Sequence, residues 1–324
     1  MADRPAAEVV VDTTLVRRLL DEQCPTLPGA GPTADLSLEV VSEGWDNVML
    51  RLGTSLAVRV PRRAVGARLL VNEQRWLPRL AERLDVLVPA PVVAGVPGAG
   101  YPWHWSVVPW IDGTTAGTVD RSRVQDVAEP LAAFFGALHS AAPADAPVNE
   151  VRGGPLEERD DAVRERLSRV DHPRVAGLTA VWEAGLDAPA WDGPPLWLHG
   201  DPHPFNLVVS DEPTGEVSLR AVVDFGDMTS GDPACDLAAA WLVFDRAGRE
   251  RFVAAVERAW DDGASGDLPH QGRSPEALRA REALWGRARG WAVAMGTALL
   301  AHSDDDPTFA ALGARVADEL LQDD

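Results

Sequence analysis

The sequence predicts an α+β fold of two lobes, in which an antiparallel sheet with one inserted helix precedes a mainly helical lobe. Three observations carry this. The first hundred-odd residues alternate short apolar runs at hairpin spacing. Beyond about residue 119 the apolar residues recur with a helical period. A single β-rich segment, Leu196 to Val223, interrupts those helices. At 324 residues the chain is long enough for a large core shared between lobes. The expected division is a first lobe over 1–110, with an N-terminal helix over 12–23, a linker over 111–118, and a second lobe over 119–324.

Asp12 to Gln23 reads as an amphipathic helix capped by Asp12 or Thr13, followed by a Pro/Gly-rich connector. Leu36 to Glu43, Asn47 to Leu52 and Ser55 to Val60 read as strands, separated by EGWD and Gly53-Thr54. Val65 to Leu84 has helical periodicity, with Pro78 expected to break or kink it. Pro91 to Gly95 and His104 to Trp110 add two strands, and the glycine-rich GVPGAG between them reads as a turn. Ile111 to Thr118 is the expected crossing between lobes. Arg121 to Ser140, Leu156 to Val170 and Arg174 to Gly185 then read as helices, with Val148 to Pro155 a loop. After the β-rich segment, helices are expected over Pro233 to Asp245, Glu250 to Asp261, Pro275 to His302 and Pro307 to Leu321, with Asp262 to Arg273 a polar loop.

Composition bounds the function classes. The net charge of -20, from 50 acidic and 30 basic side chains, makes nucleic acid a poor partner and would suit a cationic small molecule. An acidic surface also serves plain solubility. Two distant cysteines, Cys24 and Cys235, fit a reducing cytoplasm and offer neither a disulfide scaffold nor zinc-ligand spacing. No apolar run has the length of a signal-peptide core or a membrane span, so a cytoplasmic location is expected. Every basic residue is arginine; the chain has no lysine.

The chemistry concentrates in LWLHGDPHPFN, residues 196–206, and in AVVDFGD, which ends at Asp227. Asp201 stands five residues before Asn206 on a tight Gly200-Asp201-Pro202 turn, and Asp224 ends a buried-looking strand. An aspartate, an asparagine and a strand-end aspartate are the set that phosphoryl transfer from a metal-bound nucleotide uses. One carboxylate orients the attacking hydroxyl, while the amide oxygen and second carboxylate hold magnesium, a hard ion content with few protein ligands.

HGDPHPFN followed by VVDFGDMTSGDPACDLA resembles the aminoglycoside phosphotransferase family, antibiotic and small-molecule kinases of the protein-kinase-like fold. The resemblance runs from about Leu36 to the C-terminal helices. It implies that Asp201 is the catalytic aspartate, that Asn206 and Asp224 bind magnesium, and that ATP or GTP is the co-substrate. It also implies that His199 braces the loop and that Asp236 is a buried anchor near the next helix.

The first lobe then supplies a nucleotide clamp. Gly44-Trp45-Asp46-Asn47 is the turn expected over the phosphates, although it lacks the GxGxxG pattern. Arg59 stands where kinase-like folds place a strand lysine, with Glu73, fourteen residues on, as its helix partner. Val108 and Trp110 are expected at the hinge beside the base, with Pro109 removing one donor. For the acceptor, Asp227, Trp285 and Trp291 are the candidate contacts.

These residues imply a kinase for a hydroxyl of a small molecule, first a cationic, aminoglycoside-type antibiotic. A macrolide is the alternative, because RVPRR resembles macrolide phosphotransferases, and a choline-, homoserine- or ketosamine-like metabolite is another. A reading of a different class is a catalytically silent binding protein that keeps the fold. The oligomeric state is not legible.

Overall fold

The computed structural model describes residues 6–169, 174–211, 215–261, 274–303 and 306–322. The N-terminal helix α1 (Thr13–Gln23) precedes strands β1 (Leu38–Glu43), β2 (Asn47–Leu52) and β3 (Leu56–Pro61). Helix α2 (Ala64–Ala81) follows, then β4 (Val93–Gly95) and β5 (Trp105–Pro109). These strands form one antiparallel sheet in the order β1-β2-β3-β5-β4. Val48, Leu50 and Leu52 of β2 and Val58 and Val60 of β3 share one core with Val16, Leu19 and Leu20 of α1. Successive strand residues point to opposite faces, so Arg59, between Val58 and Val60, must emerge on the other face.

Helix α2 covers that face. Its buried positions include Leu70, Glu73, Leu77 and Leu80, at the three-and-four spacing of one helix stripe, so a carboxylate lies within an otherwise apolar face. Pro78 does not end α2: the helix runs on to Ala81, because only one turn remains after the proline. That last stretch, with Trp76, Leu77 and Leu80, belongs to the core of the second lobe. The GVPGAG turn is held from α1, where Gln23 exchanges two hydrogen bonds with Val96 and Glu22 accepts the Ala99 N–H.

In the second lobe, β6 (Thr114–Thr115) is followed by α3 (Ala128–Leu138), α4 (Asp160–Arg169) and α5 (Val175–Asp187). Strands β7 (Leu196–Leu198), β8 (Leu207–Ser210), β9 (Ser218–Val222) and β10 (Thr229–Gly231) come next, then α6 (Arg246–Asp261), α7 (Pro275–His302) and α8 (Pro307–Leu320). The expected helix over Arg121 to Ser140 is broken into Arg121–Val124, a 3-10 turn and α3, since Pro130 fits only in a first helical turn. Pro233 to Asp245 is likewise two one-turn helices, Ala234–Leu237 and Ala239–Leu242. Val170 and the loop read over Asp262 to Arg273 lie outside the described residues. Helix α7 is buried along much of its length, with Ala288, Trp291, Ala292 and Val293 at 0–1% exposure, and acts as the spine of the lobe. Among the described residues no helix is long and apolar enough to cross a membrane.

The β-rich segment is not one hairpin. Strand β8 pairs with β9 and, on its other side, with β6, so the second half of the expected linker is a strand of the lower lobe. Strand β7 instead pairs with β10, with Leu198 opposite Thr229. This interleaving folds the 200–206 loop and the 223–228 turn against each other.

Candidate active site

The turn that carries Asp201 is fixed from beneath. Asp236, fully buried, accepts the N–H groups of His199 and Gly200, each at 2.8 Å, and also faces His139 Nε2 at 3.1 Å. His199 Nδ1 accepts the Asp201 N–H at 3.2 Å, so its Nε2 carries the proton and donates to the Val223 carbonyl at 2.9 Å. Its ring stands edge-on to Phe225, 4.7 Å between centroids. His199 therefore ties the two strand ends together, and Asp236 fills the backbone donors of the turn. Gly200 has φ +88°, and a Cβ there would lie 2.3 Å from the Asp227 carbonyl oxygen. Only glycine accommodates that backbone and that approach.

Asp201 faces three polar neighbours. Its Oδ2 lies 3.3 Å from His203 Nε2 and 3.5 Å from Asn206 Nδ2, and its Oδ1 lies 3.6 Å from Arg152 Nη2. Burial pushes the Asp201 carboxyl up, but His203, Arg152 and His199 together hold it well below the ordinary carboxylate range. Burial pushes His203 down, and Asp201 more than offsets this, so the imidazole stands above its usual value. Asp201 is thus an ionised carboxylate at neutral pH, and it lines a cavity.

The other two members converge from strand ends. Asn206 Nδ2 donates to the Asp201 carbonyl at 3.0 Å, which points its Oδ1 away from that bond. The Val223 N–H donates to the Asn206 carbonyl at 2.9 Å, setting Asp224 beside the asparagine. Asp224 adopts φ 61°, ψ 69°, a left-handed backbone that aspartate tolerates, and its side chain is 57% exposed to the cleft. From the first lobe, Arg59 donates to Glu73 at 2.7 Å and to Asp224 at 3.0 Å. Burial raises Glu73 to about 7 against the opposing pull of Arg59, with Asp224 adding to the rise; its Oε1 is buried with no partner among the described residues. Burial would lower the Arg59 guanidinium, but Glu73 and Asp224 hold it charged.

One amide oxygen and one exposed carboxylate suit magnesium, which fills its remaining positions with water and phosphate oxygens. A dedicated protein cage is not what they make: among the described residues no three His, Cys, Asp or Glu side chains cluster around a metal position.

Beside Asp201 lies a cavity of about 310 Å³. Trp45 enters it from the β1–β2 turn, and Leu242, Met295, Leu299 and Phe309 line it together with Asp306. The remaining expected residues distribute unevenly. Asp46 accepts from Arg63 at 2.9 Å and its carbonyl takes the Arg62 N–H, so it staples the turn to the start of α2. Gly44 donates to the Asn47 carbonyl within the same turn. Val108 stands opposite Ala57, on the sheet face of Arg59. Trp110 does not offer its N–H to the cleft: that group donates to Ser55, while the ring stacks on Arg51, 4.3 Å from the guanidinium carbon. Trp285 and Trp291 do not line the cavity. Trp285 packs among Trp241, Phe252 and Trp260, and Trp291 is 1% exposed in the core, because their helix positions face the bundle.

Asp227 reaches the site as a pillar, not as an open anion. Its Oδ1 accepts from Asn149 at 2.9 Å and its Oδ2 lies 3.8 Å from Arg152. Burial raises its carboxyl, with Arg152 opposing. Asn149, Arg152 and His203 escaped the sequence reading. His203 lies inside the quoted motif and could have been marked there. The other two sit in a loop whose only signal was the pair Gly153-Gly154.

A cleft between an antiparallel sheet and a helical lobe, with Asp201 on one side and the Arg59–Glu73 pair on the other, is a two-lobed kinase-like architecture. Residues 37–290 match the Phosphotransferase enzyme family (APH), and the chain belongs to that family, as an enzyme that transfers phosphate to a hydroxyl. It is similar in structure to the GDP and kanamycin complex of APH(2")-IIia, with TM-score 0.63, 18% identity, and coverage of 97% of this chain and 100% of that one. It is also similar to a macrolide 2'-phosphotransferase type I, with TM-score 0.57, 19% identity and coverage of 96% and 99%. A third is macrolide 2'-phosphotransferase MphH from Brachybacterium faecium, with TM-score 0.53, 24% identity and coverage of 87% and 93%. At these identities the likeness bears on the fold. No curated protein sequence matches the chain.

Proposed function

We propose that this enzyme transfers the γ-phosphate of ATP or GTP to a hydroxyl of a small molecule held in the cavity beside Asp201. The observation that carries this reading is the convergence of Asp201, Asn206 and Asp224 below the Arg59–Glu73 pair. Asn206 and Asp224 would hold magnesium, which neutralises charge on the nucleotide phosphates when bound. Arg59 binds the phosphates, the Gly44 to Asn47 turn covers them, and Val108 lines the base. Asp201 accepts a hydrogen bond from the acceptor hydroxyl and orients it, taking its proton late, as the oxygen–phosphorus bond forms. The acceptor oxygen bonds to the γ-phosphorus as the bond to the bridging oxygen breaks, and the nucleoside diphosphate leaves.

For the acceptor, the lining favours a large, mostly apolar molecule over a polycation. Among the described residues Asp306 is the one carboxylate in the wall besides Asp201, and Arg152 adds a positive charge there. A macrolide-type acceptor therefore fits better than an aminoglycoside, whose several ammonium groups would meet too few partners. The names of the structural relatives include both classes. A screen of macrolides, aminoglycosides and hydroxylic metabolites with either nucleotide, read as the mass gain of one phosphate, tests both statements. Phosphorylation of aminoglycosides alone would overturn the acceptor class. Phosphorylation of nothing in the panel would remove the support for antibiotic-type acceptors altogether.

A further inference from the structure

We propose that Arg152, carried by the loop between α3 and α4, is a positioning residue for Asp201. The inference rests on the phosphotransfer reading of the site but concerns a residue outside the motifs that define it. The loop is stiff and is built against β10. Asn149 receives support from Thr229, whose Oγ1 accepts its N–H at 2.8 Å, and the Ser230 N–H donates to the Pro147 carbonyl at 2.9 Å. The Asp232 N–H donates to the Gly153 carbonyl at 2.8 Å, and a Cβ on Gly231 would lie 2.1 Å from that carbonyl oxygen. The backbone of Arg152 is therefore held at one height above the Asp201 turn.

The side chain then stands between two carboxylates, with Nη2 3.6 Å from Asp201 Oδ1 and 3.8 Å from Asp227 Oδ2. Both separations exceed hydrogen-bond length, so Arg152 attracts Oδ1 without filling its lone pairs. Asp227 keeps the guanidinium from collapsing onto the base, and Asn149 keeps Asp227 in place. Asp201 Oδ2 is meanwhile held by His203 and Asn206. The carboxylate is fixed at one oxygen by direct contacts and steered at the other by charge, which leaves Oδ1 aimed at the acceptor. Arg152 Nη1 donates to the neighbouring Val151 carbonyl at 3.3 Å and its Nε is buried with no hydrogen-bond partner among the described residues, so it meets the two carboxylates through charge.

The test uses magnesium-dependent hydrolysis of ATP and GTP, with water as the acceptor, in the full chain and in Arg152→Met, Arg152→Lys and Asp201→Asn. Misaligning a reacting group by a fraction of its bond length lowers turnover while leaving nucleotide binding intact. Arg152→Met should lose about tenfold or more in kcat with nucleotide KM nearly unchanged. Arg152→Lys, which restores the charge, should recover a large part of that loss with a melting temperature equal to that of Arg152→Met. Wild-type turnover in Arg152→Met, with turnover lost in Asp201→Asn, overturns the proposal and leaves the phosphotransfer reading standing. A loss in Arg152→Met that Arg152→Lys does not recover, together with a lower melting temperature, also overturns it. Wild-type turnover in both Arg152→Met and Asp201→Asn removes the phosphotransfer reading and the proposal together.

Discussion

Arg59 donates to Asp224 at 3.0 Å across the cleft, so a strand of the first lobe touches a carboxylate of the second directly. Its other arm holds Glu73 of α2 at 2.7 Å. A lysine ammonium is a compact point charge, whereas the planar guanidinium reaches two carboxylates 151 residues apart in sequence with separate nitrogens (224 − 73). In a chain without lysine, this fork makes the arginine a clamp that also couples the lobes.

Removing the fork should weaken nucleotide binding before it affects the chemistry. Arg59→Ala is expected to raise nucleotide KM about tenfold to a hundredfold, the range for lost charge-assisted hydrogen bonds. Arg59→Lys should fall between, since one ammonium cannot serve both carboxylates in the same way. Steady-state kinetics with varied nucleotide checks this, and an unchanged KM in Arg59→Ala contradicts the clamp.

Glu73 makes a pH prediction. Its folded pKa of about 7 lies above the ordinary 4.5, because burial disfavours the charged form. Between those values the folded chain keeps a proton that the unfolded chain has released. The contribution of Glu73 to stability is therefore full below about 4.5 and declines as pH rises toward 7. Melting curves from pH 5 to 7.5, without nucleotide or magnesium, should show wild type losing ground relative to Glu73→Gln as pH rises. Parallel curves would contradict the assignment.

Asp236 is expected to be a stability residue. Its removal leaves the His199 and Gly200 N–H groups buried without acceptors, at about 1–3 kcal/mol each. Asp236→Ala should therefore lower stability by about 2–6 kcal/mol in denaturant titration, and Asp236→Asn by less. A change below about 1 kcal/mol would show that the turn does not depend on this anchor.

Gly200→Ala places a methyl against the Asp227 carbonyl and forces a left-handed backbone on alanine. The turn must shift and take Asp201 with it. The expected result is a loss of kcat of about a hundredfold with nucleotide affinity retained. Calorimetric titration with nucleotide, beside turnover, separates the two effects.

The site was legible where one stretch of sequence carries both chemistry and backbone. HGDPHPFN names Asp201 and Asn206, and the strand before Asp224 reads as apolar and buried. Arg59 and Glu73 were also legible, because they stand where kinase-like folds place a strand lysine and its helix partner. The pairing of Leu196–Leu198 with Thr229–Gly231 was not, since local apolar runs do not say which strand they will join. Arg152 and Asn149 were illegible for the same reason: a loop residue approaches Asp201 only through tertiary contacts. Trp285 and Trp291 misled because tryptophan on a helix looks alike whether it lines a cleft or a core. The break at Pro130 could have been read from the proline alone.

In the proposed reaction Asp201 orients the acceptor hydroxyl for phosphoryl transfer. Its most direct test is mass-resolved phosphorylation of the acceptor found by screening, comparing wild type with Asp201→Asn at saturating nucleotide and magnesium. The variant is expected to lose about a hundredfold or more, with nucleotide still raising its melting temperature. Phosphorylation by Asp201→Asn at the wild-type rate would contradict it.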